Sequence, residues 1–185
     1  MVFAEFENIQ TERLFLRKMT REDAAHYFER LASSEAVTRY MLFSPQQELS
    51  EAEESVQKAL ARYESKLSYR WVLDLPGEGL IGVIDLLRFD PETSSCSFAY
   101  MIGENWWGRG YGTEAVKAVF GFAFEKMELA FIEVDHMAEN PASGAVMRKC
   151  GMTYQRTEQN RYQKNGINHD ACVYRITRQQ WESVQ

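Results

Sequence analysis

Cysteine is scarce. Cys96, Cys150 and Cys172 are the 3 in a chain of 185 residues, an odd number with no Cys-x-x-Cys pair. That count excludes a disulfide framework and suits reduced, mostly buried thiols in a reducing compartment. The 3 histidines, His26, His136 and His169, are too scattered for a zinc signature, so no metal is expected. No apolar run approaches the roughly 18 residues of a membrane-crossing helix. Met1 to Glu7 lacks a basic region followed by an apolar stretch, so no secretory signal is expected and the expected place is the cytoplasm, with no membrane partner. Basic excess is also missing. Lys and Arg number 21 against 27 Asp and Glu, a net charge of −6. Nucleic-acid domains draw affinity from neutralising phosphates, so no nucleic-acid partner is expected. An acidic balance instead favours a cationic or amine partner. Only 4 prolines and 11 glycines are present, dispersed, with no repeat, linker or low-complexity tract. One domain over residues 1–185 is therefore expected.

What is there is an ordinary globular composition, 45% apolar and 26% charged, which excludes a largely disordered chain. A chain of this length buries about 70% of its unfolded surface, enough for a core without cross-links. Leu14 to Arg17 reads as a first strand. Thr20, with Asp23 three residues on, reads as the cap of a helix to about Ser33 whose apolar face is Ala24, Tyr27, Phe28 and Leu31. Ser44-Pro45-Gln46-Gln47 reads as the start of a short helix or turn, and Ser50 to Glu53 as a capping box. A helix follows to Leu67, with Val56, Ala59, Leu60, Tyr63 and Leu67 at helical spacing.

Tyr69 to Leu75, Leu80 to Phe89 and Ser94 to Ile102 predict an antiparallel meander joined by turns at Pro76 to Gly79 and Asp90 to Thr93. A glycine-rich stretch from Gly103 to Gly112 then opens a buried helix, Thr113 to about Met127. Phe131 to Met137 is the next strand. Asn140-Pro141 caps a helix ending at Cys150-Gly151. Strands from Met152 to about Gln159 and from Ala171 to Thr177 close the sheet, and Thr177 caps a final helical turn. The order β-α-α-β-β-β-α-β-α-β-β makes an α/β (α+β) fold, a mixed sheet with helices on its faces.

The strongest local signal is Trp106-Trp107-Gly108-Arg109-Gly110-Tyr111-Gly112-Thr113. A strand feeds a glycine-rich turn that opens a helix. Free N–H groups at such a start, with the helix dipole behind them, make a diphosphate cradle. Glycines let the main chain approach a ligand closely, and Arg109 could add a side-chain contact. The same glycines could serve a tight turn alone. Gly-Lys-Ser/Thr is absent, so this is not a P-loop. The glycine spacing and the antiparallel meander before it do not fit a dinucleotide fingerprint.

The second signal, Asn140-Pro141-Ala142-Ser143 on the next helix start, completes a pattern that resembles the GNAT acetyltransferase superfamily. The family's Arg/Gln-x-x-Gly-x-Gly/Ala appears here as Trp107-x-x-Gly110-x-Gly112, with Trp replacing Arg/Gln. Trp-Gly-Arg-Gly-Tyr-Gly-Thr-Glu-Ala, the opening Thr11-Glu12-Arg13-Leu14-x-Leu16-Arg17 and the closing Asp170, Tyr174, Ile176-Thr177 and Trp181 resemble the RimJ/RimL-like branch, which acetylates protein N-termini. The resemblance covers nearly the whole chain. It implies a mostly antiparallel sheet of about seven strands, splayed between the fourth and fifth, with helices on both faces.

The resemblance implies acetyl-CoA as donor, with its pantetheine arm entering the splay. It would pair with the main chain of Tyr100, Met101 and Ile102, and the diphosphate would take N–H groups from Gly108, Arg109, Gly110, Tyr111, Gly112 and Thr113 beside Trp107. Asn140 would contact the pantetheine or hold the thioester end. A neutral amine would attack the thioester directly, with a base to take the ammonium proton and an acid to protonate the leaving thiolate. Many members carry Tyr seven residues after the Asn as the acid, and here that place is Met147. The RimJ/RimL-like branch instead implies Ser143, which could equally be only an early helix residue near CoA.

For the base, Glu133 stands first, with Asp135 on the same strand face and Glu104 as other candidates. Glu133 could instead be the partner of Lys149 or Arg148. His136 reads as a satisfied structural histidine and Cys150 as packing. The acceptor is expected across the sheet gap, lined by the first two helices, Arg21 to Ser33 and Glu51 to Leu67, and by the loop before the last strand, where Glu29, Glu35, Glu48, Glu51, Glu53 and Glu54 could draw a cation, or be a solvated face. The leading expectation is an N-acetyltransferase acting on a protein N-terminal amine, monomeric or homodimeric. A small-molecule amine (polyamine, amino acid or antibiotic) as acceptor, or a non-catalytic acyl-CoA-binding module, are the alternatives.

Overall fold

The structure is a computed structural model that describes residues 1–65 and 68–183. Eight strands, β1 (Ile9–Gln10), β2 (Phe15–Lys18), β3 (Tyr69–Leu75), β4 (Gly79–Asp90), β5 (Ser95–Ile102), β6 (Phe131–Met137), β7 (Thr153–Lys164) and β8 (Ile167–Thr177), form one sheet in the order β1-β2-β3-β4-β5-β6-β8-β7. All neighbours are antiparallel except β5 and β6. The helices are α1 (Ala24–Tyr27), α2 (Glu35–Thr38), α3 (Leu49–Ser65), α4 (Tyr111–Gly121), α5 (Pro141–Lys149) and α6 (Arg178–Glu182).

Alternation along the central strands divides the apolar side chains between two cores. Trp71, Leu73, Ile84, Leu86 and Phe98 point to the face covered by α4 and the π turn that follows it (Phe122–Lys126), where Val116, Val119, Phe120 and Phe124 meet them and Trp181 of α6 closes the end. Val72, Leu80, Val83 and Met101 point the other way, onto Tyr27, Leu31, Ala52, Val56 and Ala59 of the α1–α3 layer. Each Val, Leu, Ile, Phe or Met side chain so withdrawn from water contributes about 1.5–3 kcal/mol. Trp71 also carries a polar N–H into its core, and it is satisfied by donation to the Glu7 carbonyl at 2.8 Å.

The meander and the strand Phe131–Met137 fall where the sequence puts them. Elsewhere local chemistry shifts the boundaries. The Thr20 capping box forms with Asp23, but the helix it opens is a 3-10 turn (Arg21–Asp23), then α1, then a π turn (Phe28–Ala32). Ser50 is not a cap. The helix begins at Leu49, and the Glu51 carboxylate accepts N–H groups of Gln47 and Glu48. No helix starts at Ser44. The short α2 lies upstream, capped by Ser34, whose side chain accepts from the Val37 N–H. Leu67, expected on the apolar face of α3, lies outside the described residues. β1 is an eighth, two-residue strand with no periodic signal of its own. β7 runs to Lys164, well past Gln159, and β8 starts at Ile167. Every residue of β7 is exposed or half-buried, so no apolar alternation marks its length. Asn165 and Gly166 both hold positive φ, 51° and 76°, the two-residue turn that matches strand twist.

Position follows from the single parallel contact. β5 and β6 are in register only at Ser95–Phe131 and Cys96–Ile132. β5 continues to Ile102 and β6 to Met137 without further pairing, so the sheet opens into a wedge at the C-terminal ends of both strands. This is the splay expected between the fourth and fifth strands, renumbered by the extra β1. Main-chain groups on the facing edges are left without strand partners, a cost unless something else pairs with them.

Candidate active site

The glycine-rich loop sits at the end of β5, and three attachments fix it. Trp107 Nε1 donates to the Ile102 carbonyl at 2.6 Å, tying the loop back to the strand it leaves. Gly108 and Gly110 have φ of +71° and +85°, a left-handed path that costs roughly 1–2 kcal/mol for a residue with Cβ. Gly112 packs α4 against β5, where a Cβ would lie 3.3 Å from Ile102 Cδ1.

The third attachment comes from the chain's start. Arg13 donates through Nε to Glu114 at 2.7 Å and through Nη1 to the Arg109 carbonyl at 2.9 Å, with its guanidinium 4.5 Å over the Tyr111 ring. Glu114 also accepts from the Thr11 hydroxyl at 2.6 Å and the Arg13 N–H at 2.8 Å. Burial pushes the Glu114 carboxyl up, but these hydrogen bonds outweigh it and hold it below its ordinary value. The two motifs, Thr11-Glu12-Arg13 and the glycine loop, are thus one structural unit. No side chain caps α4. Among the described residues, none of the main-chain N–H groups from 108 to 113 has an acceptor in the protein. A helix start with aligned, unused donors is an anion site by construction.

The wedge encloses a cavity of about 170 Å³. Its polar lining includes Arg88, Tyr100, Asp135, His136, Asn140, Ser143 and Tyr162. Asn140 Oδ1 accepts the Ser143 N–H at 3.2 Å, so Asn140 caps α5 and fixes Ser143 in its first turn. The Ser143 hydroxyl and the Tyr100 phenol line the same cavity; burial pushes the phenol's pKa up to about 12, against a smaller lowering by Ser143. That phenol is therefore protonated at neutral pH. Met147 is buried at the cavity wall, so the family's tyrosine position holds no donor. Met101 turns its side chain to the opposite core. Arg109 is exposed on the loop.

Glu133 requires a correction. It is paired, but not to Lys149 or Arg148. Arg175 reaches it at 2.5 Å and Arg156 at 3.3 Å. Burial pushes its pKa up, and these two guanidiniums more than reverse that, leaving it below the ordinary range. It lines a second depression, while Ser143 lines the wedge. A carboxylate so engaged is a poor proton acceptor. Asp135, two residues on, is the carboxylate that reaches the wedge, where it accepts from the Tyr162 hydroxyl. Glu104 is held by the Ser34 hydroxyl. None of Glu29, Glu35, Glu48, Glu51, Glu53 and Glu54 lines the wedge.

His136 is only half the satisfied histidine expected. Nδ1 is 2.7 Å from the Met137 carbonyl and so carries the proton, and the ring stacks on Tyr174. Nε2 is buried without a partner among the described residues, against Gly144, where a Cβ would come within 2.9 Å. Cys150 is packing: burial lifts its thiol to about 12.

Of the elements expected around the acceptor, the hairpin before the last strand reaches the wedge through Tyr162, whereas no residue of Arg21 to Ser33 or Glu51 to Leu67 lines it among the described residues, and the stretch Tyr40 to Leu42 was not foreseen. Tyr40, Met41 and Leu42 roof the cavity from the α2 side. Lys164 Nζ, at the tip of the β7–β8 hairpin, donates to the carbonyls of Thr38, Arg39 and Met41 at 2.7, 3.0 and 2.7 Å. It thereby bridges the open end of the sheet. Asn165-Gly166 announced a hairpin tip, but nothing in the sequence says what that tip touches.

Residues 13–153 match the acetyltransferase (GNAT) domain. The chain belongs to the GNAT family. It is an N-acetyltransferase, similar to the uncharacterised N-acetyltransferase p20 of Bacillus licheniformis, 30% identical over 165 residues that cover 89% of this chain and 86% of p20. Two solved GNAT structures share the fold. The ribosomal alpha-N-protein acetyltransferase RimL in complex with coenzyme A superposes with TM-score 0.82 at 19% identity, over 92% of this chain and 98% of that one. Spermidine N-acetyltransferase from Vibrio cholerae, in complex with CoA and spermine, gives TM-score 0.80 at 20% identity, over 93% and 99%. The GNAT relatives thus include proteins named for a protein acceptor and for a polyamine.

Proposed function

We propose that this protein transfers the acetyl group of acetyl-CoA to a protein N-terminal α-amine by direct attack in a ternary complex. One observation carries this reading: a wedge with unpaired strand edges opens beside a loop of unused, glycine-presented N–H donors. Main-chain groups of Tyr100, Met101 and Ile102 take the pantetheine arm. The N–H groups of Gly108, Arg109, Gly110, Tyr111, Gly112 and Thr113, beside Trp107, take the diphosphate, with the Arg109 side chain added. Asn140 holds the first turn of α5, and Ser143, backed by the Tyr100 phenol, gives its proton to the departing thiolate. A main-chain N–H on the open edge of β5 stabilises the oxyanion.

The acceptor choice rests on basicity. Among the described residues, the candidate bases near the wedge are engaged or turned aside: Asp135 accepts from Tyr162, Glu133 is paired elsewhere, and His136 Nε2 faces Gly144. An α-amine, with an ordinary pKa of about 7.7–8.0, is already partly neutral at physiological pH, whereas a lysine-like or polyamine nitrogen near 10.4 is not. Asp135 then needs only to orient the amine and pass its proton to solvent. A polyamine also asks for several carboxylates, and among the described residues the wedge is lined by one, Asp135.

The test is CoA release with a panel of N-terminal peptides, matched N-acetylated peptides and spermidine. Turnover confined to free N-termini, with kcat/KM rising as the α-amine deprotonates, is expected. Preference for spermidine, or CoA binding without turnover of any amine, would overturn it.

A further inference from the structure

Where β4 passes the apex of the wedge, its pairing with β5 breaks register between Leu87 and Asp90. Leu87 pairs with Ser97 and Asp90 with Ser95, so Arg88 and Phe89 together face Cys96. Arg88 takes φ +53°, the left-handed region that few side chains occupy. Such a bulge re-aims a side chain. Here it turns Arg88 to the rim shared by the wedge and the neighbouring depression.

The charges around that rim are unevenly satisfied. Glu133 is held by Arg175 and Arg156. Glu158 is held by Arg156 at 2.6 Å, and Asp90 by the Thr93 hydroxyl at 2.8 Å and the Glu92 N–H at 2.9 Å. Asp135 already accepts from Tyr162. The guanidiniums of Arg88 and Arg161 are in the opposite condition. Arg88 is 57% exposed and its ion pair with Asp135 is 3.8 Å long. Arg161 is 49% exposed and stands 3.6 Å from Asp135 and 3.4 Å from Glu158. Neither donates a hydrogen bond within 3.5 Å among the described residues. The mouth therefore has two forked cations held only by long ion pairs, beside one carboxylate that orients an amine.

We propose that Arg88, supported by Arg161, is an anion subsite of the acceptor pocket, and that the acceptor carries a carboxylate close to its reacting amine, as an N-terminus with an acidic first or second residue does. This deepens the N-terminal acetyltransferase reading and rests on it. A guanidinium fork receives a carboxylate through two parallel N–H···O bonds, which fixes orientation as well as charge. With its carboxylate on Arg88 and its amine on Asp135, the acceptor would present nitrogen to the wedge and leave its chain to run out over the exposed β7 side.

The experiment compares kcat/KM for two peptides that differ only in Glu or Gln at residue 2, with free glutamate and spermidine as further arms, for the natural enzyme, Arg88→Gln and Arg88→Lys. The natural enzyme should favour the Glu peptide by about tenfold or more. Arg88→Gln should bring that ratio to about one, Arg88→Lys should keep part of it, and added salt should shrink it. Acetylation of free glutamate as fast as the peptide would make a free amino acid the source of the carboxylate and leave the subsite standing. An equal loss on both peptides in Arg88→Gln, a natural enzyme indifferent to the charge, or a preference for spermidine overturns the proposal. CoA binding by calorimetry separates the two levels. If CoA binds and no amine is acetylated, the acetyltransfer reading fails and takes the subsite with it. If peptides turn over without a charge preference, only the subsite fails.

Discussion

On the donor flank of the wedge, one run of chain from 107 to 114 forms the loop, and its fixings come from Thr11, Arg13 and Trp107, all within recognisable short motifs. On the acceptor flank, the wall is assembled from a bulge in β4, the stretch Tyr40 to Leu42, one carboxylate of β6 and the tip of a hairpin. The donor flank offers main-chain N–H groups, and the acceptor flank offers side chains. Main-chain recognition demands particular backbone angles, and those angles demand glycine. Side-chain recognition demands only that the right groups meet in space, which many sequences can arrange. A common donor can be gripped by the first means, while a distinctive acceptor needs the second.

The comparison breaks first at the point where the flanks meet. Ser143→Ala removes the proposed proton donor but leaves the Asn140 cap intact, because that cap uses the Ser143 main-chain N–H. Loss of a positioned acid costs about 10²-fold or more, so kcat should fall by about that factor with CoA affinity unchanged. A kcat within threefold of the natural enzyme, measured by CoA release, would remove Ser143 from the chemistry. Arg13→Ala tests the donor flank alone. It frees the Arg109 carbonyl and leaves Glu114 only the Thr11 hydroxyl and the residue-13 main-chain N–H. Charge-assisted bonds of this kind are worth about 1.5–3 kcal/mol, so KM for acetyl-CoA should rise roughly tenfold or more. Acetyl-pantetheine lacks the diphosphate, and its use should be unaffected. Equal losses on both donors would mean that Arg13 supports the fold rather than the loop.

What could be read from the sequence follows the same division. Strands β3 to β6, α5 and the glycine loop were legible because periodicity, Asn140-Pro141 and Gly108 to Gly112 are local signals. The hairpin β7–β8 was underestimated, since its exposed polar strand carries no apolar rhythm. Glu133 and Asp135 share a strand face and are indistinguishable by pattern. Only the neighbours brought in by β7 and β8, Arg156 and Arg175 for one and Tyr162 for the other, separate a paired carboxylate from one that lines the wedge. Arg88 was invisible for a similar reason: a register break depends on the partner strand, not on the residue itself.

Lys164→Met sharpens the contrast from the acceptor side. It removes the three bonds that hold Thr38, Arg39 and Met41 across the open end of the sheet while keeping an aliphatic stem. Burial already works against the Lys164 charge, so the net loss should be modest, about 1 kcal/mol. The acceptor KM should rise about fivefold, and the CoA dissociation constant should stay the same. A weakened CoA affinity would show that the two flanks are mechanically coupled rather than separate.

The smallest effect lies in the acid response of the donor flank. The Glu114 carboxyl has its pKa held below the ordinary 4.5, because the bonds from Thr11 and Arg13 favour the charged form more than burial opposes it. Its contribution to stability is therefore complete above the unfolded value and disappears as pH falls through the lower folded value. Arg13 is substantially exposed, so the contribution is about 0.5–1 kcal/mol. For a chain of this size that is about 1–4 °C in Tm. Glu114→Gln should thus melt below the natural protein by that margin at pH 7, and the two melting curves should converge as the pH is lowered toward 3. A gap that stays constant across that range would place the loss in packing rather than in the charge of Glu114, and would leave the loop held by Arg13 and Trp107 without it.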